Sequence, residues 1–129
     1  MEYFVKISAH DGKCSIETVQ TEKADLDFYY QEIDCRCIEI VRMPKLRKKH
    51  VFVIDEEGRL KDDAELNFIA SIMYGEPLFG TVLMCKEDLR DGEPDIIGFD
   101  EHECAAARFA LHMSIMATGL FNHRGNDDE

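Results

Sequence analysis

The chain has no tryptophan and only three prolines. It also lacks an apolar run of the roughly 18 residues needed to cross a bilayer. Its richest apolar stretch, Cys104 to Met116, is broken by Arg108 and His112. Basic residues are scarce: 15 Lys and Arg stand against 27 Asp and Glu, for a formal charge of −12. Phosphate backbones reward Lys and Arg, so no direct nucleic-acid binding is expected. The five cysteines are an odd number without scaffold spacing. A secreted disulfide framework is therefore excluded, and thiols in a reducing cytoplasm are expected. Met1 to Lys6 has no basic region leading into an apolar core, so neither export nor a membrane partner is expected. Glycine-rich phosphate cradles, Gly-x-Ser-x-Gly and His-Glu-x-x-His are all missing.

What remains is a chain of 129 residues with enough apolar content for one core. We read residues 1–119 as a single domain and 120–129 as a polar, disordered tail. Residues 3–9 and 14–20 read as strands joined at Asp11-Gly12, a strong hairpin signal. Residues 24–33 carry Leu26, Tyr29, Tyr30 and Ile33 at helical spacing, with Asp25 and Asp27 in the first turn. A strand over 36–43 is ended by Pro44, and a basic loop follows. Residues 50–54 are β-branched and aromatic, hence a strand, and Asp55 to Gly58 turns the chain. Leu66, Ile69, Ala70 and Met73 predict a helix over 62–74, stopped by Gly75. Residues 79–85 predict a central strand, apolar on both faces. Asp88 to Pro94 reads as an acidic loop, and 96–99 as a short strand or docking segment. Asp100 and Glu103 form a capping-box pattern opening a helix to about Ala117, closed by Gly119. The order implies an α+β fold: a mixed, largely antiparallel sheet of about five strands with two to three helices packed on it.

Several groups invite chemistry. Cys35-x-Cys37 and His102-x-Cys104 offer four ligands of the type zinc takes, but neither pair has the usual gap, and no metal or cofactor is expected. Cys85 could act as a nucleophile if His50 or His112 met it in space, although a buried thiol is the simpler reading. Asp55, Glu56 and Glu57 could bind a cation or a partner, and equally sit solvated at a turn. The local anomaly is a run of unopposed positive charge: Arg42, Lys45, Arg47, Lys48 and Lys49. It suits a small anionic ligand or an acidic partner, or a solvated edge loop. Tyr29, Tyr30 and Tyr74 could stack on a base if they share a cleft. On the last helix Ala105, Phe109, His112, Met113 and Met116 form a stripe. It would either cover the sheet, with His112 a core histidine, or dock a second copy of the chain.

One stretch resembles a known family. Val-Phe-Val-Ile-Asp-Glu-Glu-Gly-Arg-Leu from Val51, then Asn67 with Ala70 three residues on, then Leu-Phe-Gly-Thr-Val-Leu, resembles domain of unknown function 3846. That pattern is an apolar strand, an acidic Gly-containing turn, an Asn-opened helix and a Gly-containing strand, and Ile38 to Val41 fits the strand before it. The resemblance spans about residues 26–104 and is sharpest over 51–84. Lys61 to Leu66 departs from it, lacking the Gly-Leu-Pro-type step that relatives carry before the Asn. The family implies no established activity and no catalytic residues, and its members look like cargo of phages, plasmids and conjugative elements. Binding residues expected from these readings are Asp55, Glu56, Glu57, Asn67, Arg42, Arg47 and Lys48. The function expected is a non-enzymatic accessory protein that occupies a ligand or host factor. An acidic DNA mimic and a small hydrolase are the alternatives.

Overall fold

The computed structural model describes residues 1–43 and 49–117. Arg47 and Lys48, most of the basic loop, Gly119 and the polar tail lie outside them. The elements are β1 (Glu2–His10), β2 (Lys13–Thr21), α1 (Leu26–Ile33), β3 (Ile38–Arg42) and β4 (His50–Asp55). A single 3₁₀ turn (Gly58–Leu60) precedes α2 (Phe68–Tyr74), β5 (Val82–Arg90), β6 (Glu93–Ile97) and α3 (Glu101–Ala117). The strands form one six-stranded sheet in the order β2-β1-β5-β4-β3, with β6 also paired to β5. Every pairing is antiparallel, so the fold is α+β and the sheet is not mixed.

The sixth strand comes from the segment read as an acidic loop. Asp91 and Gly92 take φ of 53° and 81°, against 53° and 76° at Asp11 and Gly12. Positive φ at both central residues matches the twist of the flanking strands, so the same Asp-Gly pair closes both hairpins. Arg90 then faces Glu93 and Asp88 faces Asp95 across the ladder. Here turn chemistry outweighs the polar composition of Asp88 to Pro94.

β4 and β5 are buried on both sides because helices cover both faces. Phe52, Ile54, Val82 and Met84 pack with Val5 and Ile7 under α2 and α3. Val51, Val53, Leu83 and Cys85 pack with Phe4 under Tyr29 and Ile33 of α1. Period-2 alternation thus supplies a core on each side. α1 is capped by Asp25, whose carboxylate accepts from Phe28 N at 3.0 Å. α3 opens on the expected capping box: Glu103 N donates to Asp100 at 2.7 Å, and Asp100 N donates to Glu103 at 2.9 Å. No helix among the described residues is long and apolar enough to cross a membrane.

Two further expectations need correction. α2 begins at Phe68, not at 62, and Asn67 is its N-cap. Asn67 is fully buried, and its whole amide is engaged. Its Oδ1 accepts from Ala70 N at 3.1 Å, while Nδ2 donates to Ile7 O at 2.9 Å and Gly80 O at 2.8 Å. The second concerns α3, whose buried residues are Cys104, Ala107, Leu111 and Ile115. The expected stripe, His112 included, points outward, with Phe109 67% exposed. The helix is apolar on two sides, so spacing alone could not choose between them.

Asn67→Ala removes the cap acceptor and strands two buried carbonyls. It should cost about 2–4 kcal/mol, read as a lower urea midpoint with unchanged m-value.

Candidate functional site

The turn after β4 gathers most of the acidic residues singled out in the sequence. Asp55 is buried, and its Oδ1 accepts from Glu57 N at 2.9 Å, which closes the turn locally. Its Oδ2 lies 2.8 Å from Lys61 Nζ. That ammonium also donates to Asp34 O at 2.7 Å. Asp34 follows α1 in the left-handed region with φ of 61°, a conformation Asp tolerates better than most residues. The hydrogen bond to Asp55 holds the Lys61 ammonium above its ordinary range. Lys61 therefore links three segments: the end of β4, the end of α1 and its own loop.

Glu57 reaches outward to Arg36, with Nε at 3.0 Å and Nη2 at 3.4 Å on its two oxygens. Glu56 is exposed, and its backbone N–H donates to Cys37 O at 3.1 Å. Two adjoining clefts meet at Asp34 and Lys61. One, of about 410 Å³, is lined by Cys35, Arg36, Glu57 and Leu60 as well. The other, of about 240 Å³, runs past Asp55 to Asp63, Glu65 and His10. Together they form a polar groove whose carboxylates outnumber its cations. At its rim the ligand atoms of His10, Asp11 and Glu65 lie within 4.8 Å of one another, a set of the type that holds a divalent ion. His10 and Asp11 are exposed, and exposed groups of this kind commonly stand without a metal.

The other expected residues are elsewhere. Arg42 lies on β3 and pairs with Glu87 of β5 through both Nε and Nη2. This bond pulls the Glu87 carboxyl below its usual range. Lys49 Nζ lies 3.5 Å from Asp88. Asn67 is buried in the frame, and its amide is spent on Ala70, Ile7 and Gly80, the last of which lines the groove. Tyr29 is buried under the sheet with Phe4 and Phe28, whereas Tyr74 packs on the opposite face, so the tyrosines do not share a cleft.

Neither cysteine constellation assembles. All five cysteines are thiols. Cys35 packs against the α1-side core and Cys37 is exposed, while Cys104 of α3 is buried on the other side. Cys85 also faces α1 and is fully buried. Burial pushes its thiol far above the ordinary range, the reverse of an activated nucleophile. His50 pairs in register with Lys86, the next residue of β5, and its ring lies T-shaped to Phe99 on the α3 side, with centroids 5.1 Å apart. His112 is exposed on α3. Both histidines are thus across the sheet from Cys85. The participants that the sequence reading missed are Lys61, Asp34 and His10. Lys61 and Asp34 gave no motif, and Lys61 was masked by its place beside a presumed helix.

Lys61→Met leaves Asp55 buried without its cation and should cost about 1–3 kcal/mol in urea unfolding. Adding Asp55→Asn should recover part of the loss, since the unpaired charge is then gone. A second expectation concerns pH. The folded-state pKa of Glu87 is depressed, so its stabilising contribution is present above the ordinary glutamate range and fades as pH falls through the depressed value. Arg42→Gln should therefore flatten the acid limb of the stability curve, read from urea midpoints across that limb.

Comparison with known proteins gives one match. The family model described as domain of unknown function 3846 matches residues 4–103. No curated protein and no solved structure matches the chain. The matched region runs from β1 into α3 and includes the Asp55 turn, Lys61 and Asn67. The chain belongs to the family of domain of unknown function 3846.

Proposed function

We propose that the chain is a non-enzymatic binding protein of the mobile-element accessory type. It occupies a host factor or a ligand at the groove between the end of α1 and the 55–65 segment. One observation carries this reading: the two cations that build the groove, Lys61 and Arg36, are each held by one of its carboxylates. Asp55 holds Lys61, and Glu57 holds Arg36. A catalyst needs a group there with a matched and available proton or lone pair. A receptor needs a fixed polar wall. The accessory role draws further support from the phage, plasmid and conjugative settings that the family resemblance implies.

The surplus of carboxylates at Asp34, Asp55, Asp63 and Glu65 favours a basic segment of a partner protein over a small anion. An anion site at the basic segment has less support, because Arg42 and Lys49 are paired with Glu87 and Asp88. The DNA-mimic reading is weakened in the same way. Glu87, Asp88, Glu103 and Asp95 each face a cation, which blunts the ladder of charge a mimic requires. The hydrolase reading loses its nucleophile with the buried Cys85.

A second copy of the chain suits the outer face of α3. Phe109, Met113 and Met116 are exposed there at helical spacing. From Cys104 to Ala117 the helix bears no acid, so two copies of this acidic chain meet there without carboxylates between them.

Native mass spectrometry of the protein drawn from its host without chelator tests both parts. A stoichiometric partner, unchanged on incubation, is expected on a dimeric chain. Asp63→Lys with Glu65→Lys should release the partner and leave the far-ultraviolet dichroism intact. Phe109→Glu with Met113→Glu should give single copies. A bound molecule that is converted with time, or one retained by the charge-reversed groove, would overturn the receptor reading. A single-copy wild type would overturn the α3 interface.

A further inference from the structure

The sheet ends on one side at β2, and that edge lacks the guards that edge strands usually carry. Natural edges are kept short, bulged, charged or broken by proline. β2 runs for nine residues without proline, and Lys13 and Glu17 are its only charges. It pairs with β1 without a bulge, from His10–Lys13 at the turn to Glu2–Thr21. The other outer strands differ. β3 has five residues and carries Glu39 and Arg42, and β6 has five with Pro94 between Glu93 and Asp95.

The hairpin assigns the open backbone groups. Beside a two-residue turn the flanking pair, here His10 and Lys13, exchanges both of its hydrogen bonds. Ser15, Glu17 and Val19 share the parity of Lys13 and turn their backbones to β1. Cys14, Ile16, Thr18 and Gln20 turn theirs away from it. The same alternation shows on β1, where Tyr3 N donates to Phe99 O at 2.9 Å on the side away from β2. Among the described residues no hydrogen bond reaches the outward groups of β2.

The open edge and the outer stripe of α3 lie on the same side of the molecule. α3 packs on β1, and Arg108 Nη1 donates to Thr18 Oγ1 of β2 at 3.0 Å. Arg108 therefore marks the flank of α3 that faces the β2 edge. Ala106 and Ala110 mark the other flank, beside His50 of β4. Ala105, His112 and Met116 lie three, four and eight residues from Arg108, which places them on its flank. The exposed Phe109 and Met113 follow Ala105 at steps of four.

We infer that β2 pairs antiparallel with β2 of a second copy, so that two sheets become one and the two α3 helices lie side by side on one face. This rests on the pairing of copies read above for α3 and adds the strand edge to it. Neighbouring strands are about 4.8 Å apart, so helices over β1 and the β1–β2 gap stand about 10–14 Å from each other. Close-packed helices stand roughly 8–10 Å apart, and the Phe109 and Met116 side chains fill the difference. Outward groups must meet outward groups, which limits the register. A two-fold axis at Glu17 would set two glutamates directly opposite, a destabilising pair. An axis at Thr18 brings no opposite charges together along the strand. An axis at Ile16 sets Cys14 against the partner's Thr18 and Glu17 against the partner's Ser15. It also places Glu17 diagonal to the partner's Lys13, an attractive neighbour.

The test is amide hydrogen exchange of the full chain, read residue by residue by nuclear magnetic resonance, beside sedimentation equilibrium. The expected result is a dimer in which Cys14, Ile16 and Thr18 are protected together with Ser15, Glu17 and Val19. Thr18→Pro deletes an outward N–H and leaves the bonds to β1, read as retained protection at Ser15, Glu17 and Val19. It should raise the dissociation constant of the dimer roughly tenfold to a hundredfold, the worth of one hydrogen bond lost from each copy. A dimer with fast exchange at Cys14, Ile16 and Thr18 would overturn the strand pairing and leave the α3 interface standing. A single-copy chain would overturn both. Protection that appears only with a bound host protein would give the edge to that protein and overturn the pairing of copies.

Discussion

The amide of Asn67 is the contact on which the arrangement depends. It lies at the one point where the start of α2, the end of β1 and the approach to β5 converge. Each segment presents a backbone group that has lost its water. A side chain with two donors and an acceptor satisfies all three, and no charged or apolar residue of that size can. Because the site is fully buried, the alternative to pairing is an exposed cost, not a return to solvent. The helix start is thereby fixed relative to the sheet. Leu78, whose carbonyl accepts from Asn67 N at 2.8 Å, is fixed with it.

From that point the loop before α2 is constrained at both ends. Asn67 holds its exit, and Lys61 holds its entry against Asp55 and Asp34. The groove is the space enclosed by this strap, the end of α1 and the β1–β2 turn. Its walls are polar because the strap covers strand ends, where backbone and turn residues emerge from the sheet. A second cleft, lined by Tyr29, arises differently. It forms where the β5–β6 hairpin runs alongside α1, and its walls are mainly side chains of the second core. One end of α1 therefore borders a groove of paired charges, and the other a cleft of mixed apolar and charged walls.

Much of the fold was legible in the residues. The Asp11-Gly12 hairpin, the β-branched run at β4, the Asp100–Glu103 box and the Asn-opened helix of the family pattern each encode structure within a few positions. The second Asp-Gly hairpin was equally encoded, but the four charged residues of Asp88 to Pro94 suggested a loop. The outward stripe of α3 shows the opposite limit. Ala105, Phe109 and Met113 on one side, and Cys104, Ala107 and Leu111 on the other, are equally apolar in composition. Burial is a property of what lies opposite, and no local period contains that information.

The sequence by itself determined the local elements, the antiparallel hairpins and the acidic character of the surface. Turn dihedrals, caps and side-chain alternation act within a few residues, and these features follow from them. The tertiary structure alone decided the sites. Lys61 meets Asp34 across 27 positions, and Asn67 meets Ile7 across 60. It set Cys85 and the histidines on opposite faces and enclosed the Tyr29 hydroxyl beside Arg90 and Asp95. Such meetings depend on strand order and helix placement, which are fixed by the burial of two cores at once and by no single segment of the chain.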